Sequence, residues 1–186
     1  GALIAAANLS LTSGGNDMGD VTVNDAVTLT LADALTASDT VTTNTATSVL
    51  FADGNNLTVN VGFTNNGILR LQGSETASLP VATVPGTVEY VGDANGATTT
   101  YASLAAGNAY TDLTFNSTDA GANADEWQPA GAVTVTGALT VTEGELDLSA
   151  SDVTLDVSGA TTVDGTLTGG TVGLTFSGSF AANAGS

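Results

Sequence analysis

Apolar residues alternate with polar ones in many short runs, and a chain built this way has few folds open to it. Val21-Thr22-Val23, Val27-Thr28-Leu29-Thr30-Leu31, Leu57-Thr58-Val59, Ile68-Leu69-Arg70-Leu71, Val88-Glu89-Tyr90, Leu113-Thr114-Phe115, Val133-Thr134-Val135, Leu139-Thr140-Val141, Leu146-Asp147-Leu148, Val153-Thr154-Leu155-Asp156-Val157 and Leu174-Thr175-Phe176 all follow it. Each run is about three to five residues long and is closed by Gly, Asn, Asp or Ser. A period of two puts one side chain in a core and the next in water, so each run is a strand with one buried face. The expected inward residues are Val23, Leu29, Val59, Leu71, Val88, Val135, Val141, Leu148 and Val157. The polar partner is usually Thr, a β-branched residue suited to an exposed pleat position. No stretch has a 3.6-residue period; Tyr101 to Tyr110 and Asp119 to Glu126 hold one helical turn each at most. The expected class is all-β.

Spacing chooses among β architectures. Corners such as Thr136-Gly137, Ser158-Gly159 and Asp164-Gly165 suit antiparallel hairpins, and so an antiparallel sandwich or jelly roll. They equally suit a parallel β-solenoid, in which each short strand stacks on its counterpart one turn away. The strands are too short and too many for a seven-strand sandwich, and Thr and Asn recur as if to stack in ladders along an axis. A parallel solenoid is the expected fold, with the sandwich as the alternative. Residues 1–16 read as an N-terminal strand on a flexible leash, Ser13-Gly14-Gly15-Asn16, and residues 17–186 as a single solenoid domain.

Composition excludes several functions. The 186 residues hold 19 Asp and Glu against one basic residue, Arg70, and no His, for a net charge of −18. One Arg cannot neutralise the phosphates of a nucleic acid, nor dock the chain on anionic lipid. Without Cys or His there is no disulfide, no thiolate or imidazole metal site and no His-dependent triad. The charge does not mark disorder, because 42% of the residues are hydrophobic. No apolar run approaches the ~18 residues of a membrane-spanning helix. The Ala-rich start at Gly1 fits a mature terminus left by a removed secretory signal, which points to a secreted or cell-surface protein.

The segments Gly86-Thr-Val-Glu-Tyr-Val-Gly-Asp93, Tyr110-Thr-Asp-Leu-Thr-Phe-Asn116 and Val133-Thr-Val-Thr-Gly-Ala-Leu-Thr-Val-Thr-Glu-Gly-Glu-Leu-Asp-Leu148 resemble the right-handed β-helix repeats of bacterial surface proteins, the filamentous-haemagglutinin-like adhesins and autotransporter passengers. Asn66-Gly-Ile-Leu-Arg-Leu-Gln-Gly73 and Gly165-Thr-Leu-Thr-Gly-Gly170 fit the same grammar, so the resemblance covers roughly residues 54 to 178. It implies a right-handed β-helix scaffold and says little of function, since such repeats are scaffolding.

Calcium is the expected ligand if there is one, because Ca²⁺ takes oxygen from carboxylates, Asn and carbonyls. Two loops supply them: Asn16, Asp17 and Asp20 in a segment resembling the Gly-Gly-x-Gly-x-Asp grammar of calcium-binding β-rolls, and Asp119, Asp125 and Glu126. The alternative for both is a turn rich in residues that tolerate left-handed backbone. Acid pairs such as Glu143 with Glu145 meet glycosidase spacing by chance, and Arg70 sits in a strand as an exposed pleat residue, so an enzyme is not expected. A polysaccharide-active β-helix enzyme is the third reading. Trp127 reads as the cap of an apolar core with Tyr90, Tyr101 and Tyr110 near it, against a ring that stacks on a glycan. Asn8, Asn56 and Asn116 lie in Asn-x-Ser/Thr sequons, the acceptor pattern for glycosylation.

Leu3, Ile4, Leu9 and Leu11 make a short apolar strand segment ahead of the Gly-rich leash. Such a segment adds to a neighbour's open sheet, or forms an edge of its own domain. The expected function is an extracellular structural protein that assembles with copies of itself into a filament or sheath. The alternative is a stalk or ligand-binding module of a larger adhesin, touching a glycan or a cell surface.

Overall fold

The computed structural model describes residues 1–183, so residues 184–186 of the expected solenoid domain lie outside the described residues. The chain winds as a parallel β-solenoid of about nine turns. The first turn carries β1 (Leu3–Ala5) and β2 (Leu9–Leu11). The second carries β3 (Val21–Val23), β4 (Thr28–Leu31) and β5 (Leu35–Ala37), and the third β6 (Thr40–Thr43), β7 (Val49–Phe51) and β8 (Leu57–Val59). The fourth has β9 (Gly62–Asn65), β10 (Ile68–Leu71) and β11 (Ala77–Ser78). The fifth and sixth each have one long and one short strand, β12 (Val84–Tyr90) with β13 (Thr100–Tyr101), and β14 (Ala109–Asn116) with β15 (Glu126–Trp127). The seventh carries β16 (Val133–Val135), β17 (Leu139–Glu143) and β18 (Glu145–Asp147), the eighth β19 (Leu155–Val157), β20 (Thr161–Val163) and β21 (Thr166–Thr168). The ninth carries β22 (Leu174–Phe176) and β23 (Phe180–Ala182).

Every strand pair among the described residues is parallel, which removes the antiparallel sandwich. The largest sheet has 12 strands and forks after β14, one branch running through β17 and β20 to β23 and the other through β16 and β19 to β22. Along it the register stacks Leu9, Leu29, Leu50, Leu69, Val88, Leu113, Leu139, Thr161 and Phe180 in one inward column. A second column runs Leu71, Tyr90, Phe115, Val141 and Val163. Turns rise by about 4.8 Å, the strand spacing, so each inward side chain packs on the one a turn below and a single dry core fills the coil. The nine inward residues expected from the alternation are all buried. The long strands β12 and β14 serve two faces: Val84 pairs with Tyr110 on one, and Thr87 to Tyr90 pair with Asp112 to Phe115 on the other after a shift of register. The only helical element among the described residues is a 3₁₀ turn at Gly121–Asn123, within one of the two Ala-rich stretches. Among the described residues no helix is long and apolar enough to cross a membrane.

Corners stack as well as strands. Asn44 Nδ2 donates to Asn24 Oδ1 at 2.9 Å. Buried Thr43 donates to Asn65 Oδ1 at 2.6 Å, and Asn65 Nδ2 donates on to Pro85 O and Thr87 O of the next turn. The ladders implied by the recurring Thr and Asn are thus present, and they satisfy polar groups that the turns bury.

The segment read as a detached strand and leash is the first turn of the same coil. β1 pairs with β3 through Leu3, Ile4 and Ala5, and β2 pairs with β4 through Leu9, Ser10 and Leu11. The Gly-rich corner is fastened from one turn above: Asp33 accepts the N–H groups of Ser13 and Gly14, both at 2.7 Å, and buried Ser13 donates its hydroxyl to Ala34 O. A leash that looks free in sequence is held because its partner lies one turn further along the chain.

Candidate functional site: an acidic pocket between two corner loops

After β12 and β14 the chain leaves the coil in two long corner loops, residues 91–99 and 117–125, and the second lies on the first. Five hydrogen bonds join them: Gly96 N–H donates to Asp119 Oδ1 (2.9 Å), Thr99 N–H to Asp125 Oδ1 (2.9 Å), Thr98 Oγ1 to Ala122 O (3.2 Å), and Thr118 gives both its N–H (2.8 Å) and its hydroxyl (2.9 Å) to Val91 O. Asp93 from the lower loop meets Asp119 and Asp125 from the upper one, with one carboxylate oxygen from each lying within 4.8 Å of the others. Asp119 is 8% exposed and Asp125 0%. Ser117 organises the upper loop, since its Oγ donates to Asp125 Oδ2 and accepts the N–H groups of Asp119 and Asp125. Asp93 Oδ2 accepts from Asn95 and Thr99, whereas Asp93 Oδ1 and Asp119 Oδ2 are buried without a partner. Burial, with Asp93 and Asp119 adding repulsion, pushes the Asp125 carboxyl above the ordinary aspartate range.

The floor is aromatic. Trp127 is fully buried, stacked on Tyr101 at 5.7 Å between ring centres and tilted against Phe115 at 5.2 Å and Tyr90 at 6.2 Å. Its indole N–H donates to Gln72 O, and the Tyr90 and Tyr110 hydroxyls lie 3.1 Å apart. Trp127 is therefore a core residue within an aromatic cluster and presents no ring to a glycan. Tyr101 carries a buried hydroxyl with no partner; burial, Asp125, Asp93, Glu75 and Asp119 together push its ionisation far above the ordinary tyrosine value.

The calcium ligands expected from sequence fare differently. Asp119 and Asp125 come together, while Glu126 turns away: it begins β15, where Trp127 points inward, and it accepts from Gln128 and Thr100 on the outer face. Asn16 bonds back to Ser13 O, Asp20 accepts from Thr40 on the next turn, and Asn16, Asp17 and Asp20 are all exposed. Asp93 escaped the sequence reading because its partners lie a whole turn away. The signal was there in the alignment of turns: with Tyr90 stacked beneath Phe115, Val91-Gly92-Asp93 runs beneath Asn116 to Asp119.

Arg70 points outward, in an ion pair with Glu89 (2.7 Å) and over the Phe51 ring, as a pleat residue would. The sequon asparagines each reach to a neighbouring turn: Asn8 Oδ1 accepts from Thr28 N–H, Asn56 Oδ1 from Thr76 N–H, and Asn116 Nδ2 donates to Glu89. Glu143 and Glu145 flank Gly144 on the wall of an open groove of about 620 Å³ beside the upper loop. No family model matches the chain, and no curated protein or solved structure matches it.

Outside the pocket the carboxylates brace corners, and this sets the acid response. Asp25 accepts from Thr47 and Thr45, Asp33 from Ser13 and Gly14, and Asp152 from Thr171; these bonds hold all three below the ordinary value of 3.8. A group whose folded pKa is lowered stabilises the fold above its unfolded pKa, and that contribution is lost as pH falls through the folded one. The melting temperature is therefore expected to fall as pH drops below 3.8. The Asp33→Asn/Asp152→Asn double variant should start lower at neutral pH and lose less on acidification. An acid slope equal to the parent's would count against this role for the corner carboxylates.

Proposed function

We propose that the chain is a structural subunit, exported to the cell exterior or surface, that stacks on copies of itself into a filament. The observation that carries this reading is the match between the two terminal turns. At one end β1 and β2 present Leu3, Leu9 and Leu11, half-buried, and Ile4, 64% exposed. At the other, β22 and β23 leave Leu174 and Phe180 exposed, with Phe176 and Phe180 in contact at 4.9 Å. β2 and β23 belong to one face, and β22 continues the face on which β16 and β19 lie. A second copy placed head to tail would set Leu9-Ser10-Leu11 over Phe180-Ala181-Ala182, continuing the inward columns of the 12-stranded sheet. Open parallel edges template the next strand, and a head-to-tail contact of this kind does not close on itself, so it propagates.

The residues expected from sequence to meet a neighbour, Leu3, Ile4, Leu9 and Leu11, keep that role in this reading, but by end-on stacking. Exchange would require β1 and β2 to leave the turn in which they are already paired. Repulsion between subunits of charge −18 opposes contact at low salt, so assembly should quicken as ionic strength rises. Electron microscopy of the purified chain in moderate salt should show rods about as wide as one solenoid. Phe180→Asp should leave the β-type circular dichroism spectrum unchanged and abolish elongation. Monodisperse particles of single-chain mass, or rods undiminished in Phe180→Asp, would overturn it.

A second reading, the stalk of a larger surface adhesin, draws on the repeat grammar of residues 86–148, which the structure stacks turn on turn. It calls for monodisperse chains that bind a glycan or a cell surface.

A further inference from the structure

We propose that Asp93, Asp119 and Asp125 hold a hard divalent cation, Ca²⁺ foremost, between the corner loops of the fifth and sixth turns. The claim is independent of filament formation. An acidic cluster alone would carry little weight; what distinguishes this one is buried valence left unused. Asp119 is more than nine-tenths buried, and its Oδ2 has no hydrogen-bond donor. The same holds for the Tyr101 hydroxyl, 5% exposed, whose charged neighbours are these three aspartates and Glu75. Asp93 Oδ1 is a third orphan. A buried carboxylate oxygen without a donor costs on the order of 1–3 kcal/mol, more for a charge, and native proteins seldom leave several at one place.

The geometry suits a cation of this class. Ligand oxygens on Ca²⁺ lie about 2.3–2.6 Å from the ion, so oxygens on a common ion are separated by no more than about 5 Å; the three carboxylates meet that limit at 4.8 Å. The donor set is all oxygen, which selects a hard ion over a thiophilic one. Three carboxylates drawn from two separate loops favour Ca²⁺, which tolerates irregular oxygen geometry, over Mg²⁺, which demands a near-ideal octahedron. The backbone also keeps the pocket clear. Gly92 has φ +72°, and a Cβ there would stand 1.6 Å from Asp125 Oδ2, so any side chain at this position would drive the carboxylate out.

The test uses the whole chain, stripped with EDTA and titrated with CaCl₂, MgCl₂ and TbCl₃. Tb³⁺ replaces Ca²⁺ and emits when a nearby indole or phenol is excited, and Tyr101, whose hydroxyl has the three aspartates as charged neighbours, is stacked on Trp127. Ca²⁺ should bind with half-saturation at about 0.1–1 mM and raise the melting temperature by about 3–10 °C at 10 mM. Excitation of the aromatic residues should give Tb³⁺ emission that Ca²⁺ displaces. Asp119→Asn and Asp93→Asn should each weaken both responses tenfold or more. In EDTA neither should melt below the parent, because each removes a repelling charge while Asn keeps the carbonyl acceptor. A chain indifferent to 10 mM Ca²⁺ and silent with Tb³⁺ would overturn the site, as would variants that bind like the parent. So would stabilisation by mild acid with no response to Ca²⁺, which would make a proton the occupant.

Discussion

Val141→Asp is expected to unfold at a markedly lower urea midpoint than the parent, whereas Thr140→Asp, one residue away, should unfold like the parent. Val141 is fully buried in β17, stacked between Phe115 of the turn below and Val163 of the turn above. A carboxylate there has no cation or donor within the apolar column, and the only basic residue, Arg70, is engaged on the outer face. The cost is on the order of 3 kcal/mol or more, a large part of the ~5–15 kcal/mol that holds a typical domain together. Thr140 lies on the opposite side of the same strand, between Thr114 and Thr162, where a surface substitution shifts stability by about 0.5 kcal/mol or less. Urea unfolding of the two variants reads the difference. Equal stabilities would mean that the alternation does not separate core from solvent.

The same alternation explains how far sequence reasoning reached. Adjacent residues are locked to opposite faces by the pleat and residues two apart to the same face, so Leu139-Thr140-Val141 declares its inward members without knowledge of what lies above or below. Register is another matter, because it rests on partners a whole turn away. Asp164-Gly165 has the look of a hairpin turn, yet the chain continues in the same sense from β20 to β21, and Gly165 N–H donates to Val141 O one turn below. Ser13-Gly14-Gly15 looked mobile because the carboxylate that fastens it, Asp33, is far along the chain. The pocket shows both sides of this. Asp119 and Asp125 share a loop and were legible as a pair. Asp93 joins them only through stacking, and Glu126, adjacent in sequence, is carried outward by the strand that buries Trp127.

Stacking also makes a demand that composition alone states only as a surplus of glycine, and Gly159→Ala should expose it. Gly137, Gly159 and Gly178 form a column at one corner of the seventh, eighth and ninth turns. A Cβ on Gly159 would lie 2.2 Å from Gly137 O, and one on Gly178 would lie 2.1 Å from Gly159 O. The contacts are with backbone, which cannot rotate aside as a side chain would. Gly159 N–H also donates to Gly137 O at 3.0 Å, so the two turns are bonded at the point where the methyl group would enter. Room can come only from breaking that bond or from prising the eighth turn off the seventh, against ladders that fix their spacing near 4.8 Å on β19, β20 and β21 together. The expected loss is about 2–4 kcal/mol, in the range of overpacking combined with a lost backbone bond. Gly173→Ala is the comparison, since a Cβ there meets nothing within 4 Å. It should match the parent in urea, while Gly159→Ala unfolds at a markedly lower midpoint. Should both alanines prove equally harmless, the corners are looser than the backbone bonds imply, and the close stacking would rest on the strands alone.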